Sequence, residues 1–417
     1  MWKNCSSPQV KCMVKKKILV IAPQSYPVTG AEAIVNTKML QAMARSGAFE
    51  IDLISKKNKW QNYESDSIEE LGLGLNSLHV IEVDNKINVK SFFQHFLSLL
   101  YFGVLFKGCH WAVVALPVVR RLLKRNKYDY VLTKNAPSLL LGNYVKKHYG
   151  IKWVATWNDP YPENKYPAPY GNGWNSKESL QIRTLIRIMK NADTHIFPSE
   201  RIRDYMLRYL KIDEGLTMVL PHVILSNSEE RKSQQHNEGV LRIIHSGNLK
   251  RPRNPETFLL ALSRLSKEYP KLSLKVTFQG VYDDSLRLLA EDLDLIDLVD
   301  FKGSVSYSES ITMLKDYDVA LIIEANCEEG IFLPTKVSDF LQCGKIIFAV
   351  SPQKGVLNDL FLNSYIPYFA TVSEPDEIYL ELKRLYLDFL SNKLVDPNKM
   401  IPRVFSEDYM VDKYLSL

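Results

Sequence analysis

The stretch IFLPTKVSDFLQCGKIIFAVSP, residues 331–352, predicts a polar turn, a short helix and a buried strand in immediate succession. Pro334 and Thr335 are typical of a helix start, and Gly344 is typical of a helix end. The apolar run 346–350 indicates a buried strand. Because the first N–H groups of a helix lack partners and the helix dipole is positive there, the turn suits an anion such as a phosphate.

Two charged side chains follow this turn. Lys336 lies in the first predicted helical turn, and Asp339 lies about one turn further on and on roughly the same face. A cation beside a phosphate and a carboxylate that accepts hydrogen bonds from ribose hydroxyls would suit a nucleotide sugar. The alternative is an exposed ion pair between Lys336 and Asp339, worth about 0.2–0.5 kcal/mol. From this segment alone, the ion pair is the favoured alternative.

The composition is that of an ordinary globular protein with two domains. The chain has 417 residues, of which 46% are hydrophobic and 24% are charged, and a single core rarely grows to this size. The formal net charge of +6 favours anionic partners, whether phosphorylated substrates, acidic lipid or nucleic acid.

The cysteines and the N-terminal residues predict a cytoplasmic protein. The cysteines are odd in number and scattered, with no pair at metal-ligand or redox spacing, so we expect a reducing compartment without disulfides or zinc. Residues 1–16 lack the long apolar core of a signal peptide, and we expect them to form a disordered tail. The cysteines are Cys5, Cys12, Cys109, Cys327 and Cys343.

One apolar region lies close to a cluster of basic residues. The runs 91–106 and 108–119 are each too short and too often interrupted to span a bilayer. The segment RRLLKRNK, residues 120–127, follows them directly, and such a combination is typical of a surface that rests on an anionic membrane. An internal helix with a solvated basic end fits the pattern equally well, so both alternatives stay open.

From Lys17 onward, short apolar strands alternate with helical segments, which indicates parallel sheets covered on both faces. The polar run 225–239 is typical of a linker. We therefore predict an α/β fold of two Rossmann-like, doubly wound domains, residues 17–224 and 240–400, that face each other across a cleft. The predicted strands are 18–22, 49–55, 128–133, 151–157 and 193–199 in the first domain, and 240–248, 272–280, 299–304, 318–325, 345–351 and 367–372 in the second.

In such sheets ligands bind at the carboxyl ends of the strands, so the turns there are candidate sites. The first turn contains Gly30, which would let the backbone approach a donor, and Glu32, a candidate for acceptor binding. A tight turn followed by an acidic first helical turn would explain both residues without a ligand.

A long loop rich in proline and aromatic residues follows the predicted strand 151–157, and its length is better explained by binding than by folding. Trp157, Asn158 and Tyr161 are candidate acceptor-binding residues, because they could stack on a sugar or bond its hydroxyls. Asp159 is the candidate for orienting or deprotonating the acceptor, although an aspartate before proline also organises turns.

A third turn carries the basic residues Lys250, Arg251 and Arg253 directly before a predicted helix. Together with a helix N-terminus they would form a cradle for a diphosphate. A solvated basic loop is the simpler alternative.

Taken together, the sequence resembles the retaining, nucleotide-sugar-dependent glycosyltransferases of family 4, which have the GT-B fold. The resemblance covers nearly the whole chain from Lys17, and LPTK followed by an acid and a glycine is similar to a branch found in bacterial surface polysaccharide assembly. The segments that carry it are PQSYPVTGAEA, KWVATWNDPYP, THIFPSERIRDY, VLPHVI, HSGNLKRPRNPETFLLAL, DYDVALIIEA and LPTKVSDFLQCGKIIFAVSP.

The resemblance implies which residues bind the donor diphosphate. Gly247 matches the glycine of the family, Asn248 stands at the usual arginine position and Arg253 at the usual lysine position. One of two charges is therefore retained, with Lys250 or Arg251 as substitutes.

The family also carries two glutamates eight positions apart. Asp339 matches the second, which binds the ribose, and the resemblance thereby favours donor binding by Asp339 and by Pro334, Thr335 and Lys336. The first glutamate would fall at Ile331, which cannot serve. Glu328 and Glu329 lie nearby without the right spacing.

The resemblance implies transfer of a sugar from a UDP-, GDP- or dTDP-linked donor to a carbohydrate or lipid-linked acceptor, with retention and without a metal or cofactor. Capsule, O-antigen or exopolysaccharide assembly is the expected setting, with an anionic membrane surface and no nucleic acid as partner. Two alternatives stay open, a nucleotide-sugar epimerase of related architecture and a non-catalytic sugar-nucleotide-binding subunit.

The last segment, residues 401–417, has a helix-start signal at Ser406 and apolar residues at helical spacing. In proteins of this resemblance the terminal helix crosses back to pack on the first domain. We expect the same of this segment.

Overall fold

The computed structural model describes residues 15–28, 30–59, 72–84, 89–226 and 239–417. Residues 1–14 of the predicted tail lie outside the described residues, and its last residue, Lys16, is the first residue of a strand. Most of the predicted linker, residues 227–238, also lies outside them.

Within the described residues, the first sheet has seven strands in the order β3-β2-β1-β4-β5-β6-β7. Its strands are β1 (Lys16–Ile21), β2 (Phe49–Asn58), β3 (Ser77–Val83), β4 (Tyr130–Lys134), β5 (Lys152–Thr156), β6 (Thr194–Phe197) and β7 (Thr217–Val219). The helices between them are α1 (Gly30–Arg45), α2 (Val89–Phe102), α3 (Cys109–Arg125), α4 (Ser138–Tyr149), α5 (Leu180–Met189) and α6 (Glu200–Leu210).

The second sheet has six strands in the order β10-β9-β8-β11-β12-β13, and all its neighbouring strands are parallel. Its strands are β8 (Leu241–Ser246), β9 (Leu274–Gln279), β10 (Val299–Lys302), β11 (Val319–Ile323), β12 (Ile346–Ser351) and β13 (Tyr368–Thr371). The helices are α7 (Glu256–Glu268), α8 (Ser285–Asp292), α9 (Tyr307–Met313), α10 (Thr335–Gln342), α11 (Val356–Leu362), α12 (Pro375–Leu390) and α13 (Glu407–Leu415).

The predicted α/β class with two doubly wound parallel sheets is confirmed. In each sheet the first three strands lie in sequence on one side of the first strand, and the next strands lie on its other side. The strand order therefore reverses between β1 and β4 in the first sheet and between β8 and β11 in the second. The crevice at such a reversal is the usual ligand site of an open parallel sheet. Strands β3 and β7, at the two edges of the first sheet, were not predicted. In β3 only Ile81 and Val83 are buried, so the apolar signal is weak.

The second sheet has a core on each face, because successive side chains of a strand point to opposite sides. Ile243 and Leu321 pack in one core cluster, and their neighbours Ile244 and Ile322 pack in the other. All six strands of this sheet were predicted. Strands buried on both faces read as continuous apolar runs, and β11 and β12 have this pattern.

The chain forms two compact units, residues 1–154 with 411–417, and residues 155–410. The sequence instead predicted a boundary at the linker 225–239. The difference has a local cause, since residues of α6 bond to the second half of the chain. Ser199 donates a hydrogen bond to the carbonyl of Ile331, and Arg201 forms an ion pair with Asp359.

The last residues belong with the first unit. Tyr414 is buried, its carbonyl oxygen accepts a hydrogen bond from the Tyr130 hydroxyl at 3.2 Å, and its own hydroxyl lies 3.4 Å from the sulfur of Met39. The carbonyl of Leu417 accepts a hydrogen bond from Lys152 at 2.8 Å. Phe405, by contrast, packs in a core cluster of the second unit.

Tyr414→Ala is expected to lower the free energy of unfolding of the first unit by about 3–5 kcal/mol, because it leaves a large cavity in a packed core. Tyr414→Phe removes only the contact with the Met39 sulfur and should cost less than about 1 kcal/mol. Urea unfolding followed by circular dichroism measures both. The control is Tyr149→Ala at an exposed tyrosine, which should change stability little; equal losses at the two sites would contradict the packing role of Tyr414.

Candidate functional site

The turn after β8 is held tightly against the neighbouring loop. The amide of Gly247 donates to the carbonyl of Gln279 at 2.8 Å, and a Cβ at Gly280 would lie 2.3 Å from the Gly247 carbonyl oxygen. Asn248 accepts a hydrogen bond from the Val281 amide at 3.2 Å. Its side chain therefore stabilises the turn, which explains how an asparagine occupies a position where the family has arginine.

The basic residues after this turn have different surroundings. Arg253 is half-buried and pairs with Glu324, the residue that follows β11, at 3.2 Å. Burial raises the pKa of the Glu324 carboxyl, and Arg253 opposes that rise. Lys250 and Arg251 are exposed. Only Arg253 of the three therefore has a position set by a buried partner.

Glu324 was not predicted, although one signal was available. It is the acidic residue directly after the buried strand VALII, at the carboxyl edge of the sheet. Tyr170, from the long loop, lies beside the pair of Glu324 and Arg253, and burial raises the pKa of its hydroxyl to about 12.

The segment 334–339 forms the start of α10. Pro334 precedes the helix, Thr335 is its first residue, and Lys336 is half-buried in the first turn. Asp339 is only 4% exposed and accepts a hydrogen bond from the Tyr307 hydroxyl at 2.8 Å. The carboxylate of Asp339 is therefore too buried to belong to an exposed ion pair with Lys336.

The two possible substitutes for the first family glutamate are not equivalent. Ile331 is fully buried and its carbonyl accepts the Ser199 hydroxyl. Glu328 is exposed. Glu329 is held by three cations, Arg201 at 3.2 Å, Arg208 at 3.2 Å and Lys354 at 3.1 Å. Its carboxylate therefore has a structural ion network around it.

In the first unit, Gly30 and Glu32 lie at the start of α1. Gly30 has φ +77°, which favours glycine, and nothing lies within 4 Å of where its Cβ would be. Glu32 accepts a hydrogen bond from Asn135 at 2.6 Å. Lys134 is buried nearby, and burial lowers its pKa to about 8, with Glu32 opposing. Lys134 and Asn135 were not predicted, although Lys134 is the last residue of β4 and Asn135 follows it directly.

The structure corrects the role of Trp157. Its side chain is 1% exposed and its indole N–H donates to Nδ1 of His195 at 3.1 Å. A ring this buried has no face on which a sugar could stack, so Trp157 is a core residue. Tyr161 stacks beside it with ring centres 6.5 Å apart and stays half-buried, as does Asn158.

The surroundings of Asp159 shift the pKa of its carboxyl, which the sequence could not show. Burial raises the pKa of its carboxyl, and a hydrogen bond from Tyr166 opposes the rise. Tyr166 also stacks on Phe332, with ring centres 5.8 Å apart. Through Tyr166 the loop of Asp159 contacts the segment that leads into α10.

The comparisons with known proteins agree with this arrangement of turns and strand ends. The model of "Glycosyltransferase Family 4" matches residues 97–227, and that of "Glycosyl transferases group 1" matches residues 226–389. The chain belongs to glycosyltransferase family 4. This confirms the family predicted from the sequence. The two matched ranges together contain the turn after β8, the loop of Asp159 and the start of α10.

One curated relative is the alpha-monoglucosyldiacylglycerol synthase of Streptococcus pneumoniae, which is 23% identical over 239 residues. The match covers 54% of this chain and 53% of the relative, so the chain spans about half the length of the protein it matches.

Solved structures show the same fold over nearly the whole chain. A sucrose-phosphate synthase from Thermosynechococcus elongatus has a TM-score of 0.66 at 13% identity, covering 96% of this chain and 98% of its own. The Anabaena protein HepE, solved with UDP and glucose, has a TM-score of 0.62 at 14% identity with the same coverage. The GT-B architecture is therefore confirmed for this family 4 member.

Glu329→Gln is expected to lower the free energy of unfolding at pH 7 by about 1–3 kcal/mol, because three cations lose their shared partner. Burial raises the pKa of Glu329, but the hydrogen bonds and charges of Lys354 and Arg208 outweigh burial and hold that pKa below its usual value. A lowered pKa stabilises the fold above the unfolded value near 4.3, and that stabilisation is lost as the pH falls through the folded pKa. The difference from wild type should therefore shrink below about pH 4.

Urea unfolding at pH 7 and at low pH measures this difference. Asp300→Asn, in an exposed pair with Lys302 at 3.6 Å, is the control and should cost less than about 0.5 kcal/mol. If Glu329→Gln were as stable as wild type at pH 7 but bound nucleotide sugar much more weakly, Glu329 would be a donor ligand instead.

Proposed function

We propose that this chain transfers a sugar from a nucleotide-sugar donor to a carbohydrate or lipid-linked acceptor, with retention of configuration. The family membership supports the type of reaction. Bacterial surface polysaccharide assembly is the setting that we propose, because the LPTK segment resembles that branch of the family.

One observation carries the donor site. At the start of α10, Lys336 lies in the first turn and Asp339 lies buried one turn further on, fixed by Tyr307. A helix N-terminus with a cation suits a phosphate, and a carboxylate fixed by a tyrosine can accept further hydrogen bonds from ribose hydroxyls, because each carboxylate oxygen has two acceptor sites. This is the pairing expected for a nucleoside diphosphate.

The proposed mechanism needs charge rather than a cofactor. Lys336, Arg253 and the N-termini of α7 and α10 would stabilise the leaving nucleoside diphosphate as the bond from the anomeric carbon to the phosphate oxygen breaks. The transition state would be oxocarbenium-like, as in glycoside hydrolysis. We propose that no metal takes part.

On the acceptor side, Asp159 is the residue that we propose to orient or deprotonate the attacking hydroxyl. Its raised pKa brings the carboxyl closer to the working pH, where a general base is most effective. Asn158 and Tyr161 would bind acceptor hydroxyls, and Glu32 with Asn135 would form a second polar group at the first sheet.

The relatives support a uridine-linked donor and a lipid acceptor. HepE was solved with UDP and glucose, and the streptococcal relative is named for glucosyl transfer to a diacylglycerol lipid. GDP- and dTDP-linked donors are the remaining candidates.

Helix α2 supports a position at the inner face of the cell membrane. Among the described residues, no helix is long and apolar enough to cross a membrane. On α2, however, large apolar side chains are exposed: Phe92 is 72% exposed and Leu100 is 65% exposed. Helix α2 is therefore not an internal helix. Exposed basic residues lie at the end of α3 and just after it. They are Arg121, Lys124, Arg125 and Lys127.

We therefore propose that this apolar and basic surface rests on an anionic membrane, as a monotopic helix does. Acceptors attached to lipid would then lie next to the enzyme.

Lys336→Ala and Asp339→Asn are expected to weaken nucleotide-sugar binding at least about tenfold, because each removes a charge that meets the donor. Asparagine can still accept the hydrogen bond from Tyr307, so the fold is kept. Titration of each variant with UDP-glucose, GDP-mannose and dTDP-glucose, with circular dichroism of the fold, measures the effect.

Lys302→Ala, at an exposed lysine of β10, is the matched control and should bind as wild type does. Asp159→Asn should keep the donor affinity and lower the transfer rate, measured with EDTA present. Wild-type affinity in both Lys336→Ala and Asp339→Asn would refute the donor site. Turnover of the donor without an acceptor would indicate an epimerase, and binding without any turnover a non-catalytic subunit.

The triple substitution Phe92→Ser, Phe93→Ser and Leu100→Ser is expected to reduce binding to anionic vesicles at least about tenfold, because three apolar side chains no longer enter the bilayer surface. Flotation with phosphatidylglycerol and phosphatidylcholine vesicles at low and high salt measures it. Leu362→Ser with Leu380→Ser, two exposed leucines on other helices, is the control. Equal flotation of wild type and triple variant would contradict the proposed surface.

A further inference from the structure

His245 is a buried residue near the end of β8, where the strand order reverses toward β11. It is 6% exposed, and its Nδ1 lies 3.1 Å from the carbonyl oxygen of Leu321 in β11. A carbonyl oxygen can only accept, so Nδ1 carries the proton and Nε2 has a lone pair. Nε2 is buried and has no hydrogen-bond partner within the described residues. A buried acceptor without a partner is costly, which points to a ligand or a proton.

The free nitrogen faces the candidate donor turn. Nε2 lies 3.5 Å from the position that a Cβ of Gly247 would take. Because Gly247 has no side chain, this space next to the turn stays open. On its other side the imidazole ring packs toward Phe278, with ring centres 6.2 Å apart. The ring is therefore held between the sheet core and the turn.

The charges around the ring belong to the candidate donor site. Burial, together with the positive charges of Lys336 and Arg253, lowers the pKa of His245 to about 4, and the hydrogen bond to the Leu321 carbonyl opposes this shift. Lys336 comes from α10 and Arg253 from the turn before α7, where Glu324 after β11 partly balances it. Without a ligand the imidazole is therefore neutral at physiological pH.

A bound diphosphate would reverse this balance. Its two negative charges would offset Lys336 and Arg253, and a phosphate oxygen next to a lone pair on Nε2 would be repelled. A proton on Nε2 removes that repulsion and supplies one more hydrogen-bond donor. We propose that His245 takes up a proton from solvent when the donor diphosphate binds and donates a hydrogen bond to it through Nε2.

This inference rests on the proposed donor site and adds to it a group that senses whether the site is occupied. The proton returns to solvent when the nucleoside diphosphate leaves, so no covalent bond to His245 forms or breaks. During transfer the imidazolium would be one more positive charge beside the leaving group.

The pH dependence has a defined sign. A group that gains a proton on binding makes binding tighter as the pH falls from the bound pKa toward the free pKa. If diphosphate restores the ordinary histidine pKa of about 6.5, donor binding should tighten about tenfold between pH 8 and pH 5.5. Nucleotide sugars suit this test because their diphosphate diester does not titrate in that range.

The experiment is calorimetric titration of the full chain with UDP-glucose, and with GDP-mannose and dTDP-glucose, in two buffers of different ionisation enthalpy at pH 6. The difference in apparent enthalpy gives the number of protons taken up. His245→Gln keeps a donor for the Leu321 carbonyl, and His245→Phe keeps a ring of similar shape. His110→Gln is the control, because His110 is also buried with a pKa lowered to about 4 but lies in the first unit.

We expect wild type and His110→Gln to take up most of a proton at pH 6, and both His245 variants to take up none and to bind with little pH dependence. Nitrogen-15 spectra of the histidine rings should show Nε2 of His245 bare in the free protein and protonated in the complex. Binding without proton uptake, or equal uptake in His245→Gln, would overturn this inference and leave the donor site intact. If none of the three nucleotide sugars binds wild type, the donor site itself fails.

Discussion

Strand β11, near the centre of the second sheet, is apolar and buried on both faces, and this confines charged side chains to its ends. The two core clusters take every residue of β11, and the first residue that can carry a charge is Glu324, directly after the strand. His245 and Gly247 stand at the corresponding end of β8. Since parallel strands all end at one edge, polar groups that are far apart in sequence lie together there.

A second constraint is that each buried charge needs a partner, because desolvation without one is costly. Glu324 has Arg253, Glu329 has a network of three cations, and Asp339 has the Tyr307 hydroxyl. The kind of partner differs between the acidic residues, and this difference indicates which of them is structural and which is a candidate for donor binding. Glu329 is bound by its own network of cations, whereas Asp339 accepts a hydrogen bond from the neutral hydroxyl of Tyr307. The same argument makes the buried, unpartnered Nε2 of His245 costly until a ligand or a proton reaches it.

The long loop after β5 combines structural and candidate functional residues. Trp157, at the start of the loop, is buried and bonded to His195 of β6, while Tyr166 bonds to Asp159 and stacks on Phe332 in the segment before α10. Buried aromatic residues fix this loop, so the loop can hold the carboxyl group of Asp159 in place while that group keeps its polar neighbours. Proline and aromatic residues in this loop therefore serve its rigidity as much as any contact with a sugar.

The sequence by itself determined the α/β class, most of the strands, the family and the position of the turn at residues 334–339, because these depend on local periodicity and on short segments in a fixed order. It could not show edge strands such as β3, whose burial is partial. Only the tertiary structure decided that Trp157 is buried, that Asn248 holds a turn, and that Glu324, Lys134 and His245 matter, since burial and partners come from residues far apart in the chain. A charge acquires its pKa and its role from those neighbours, and a sequence pattern does not contain them.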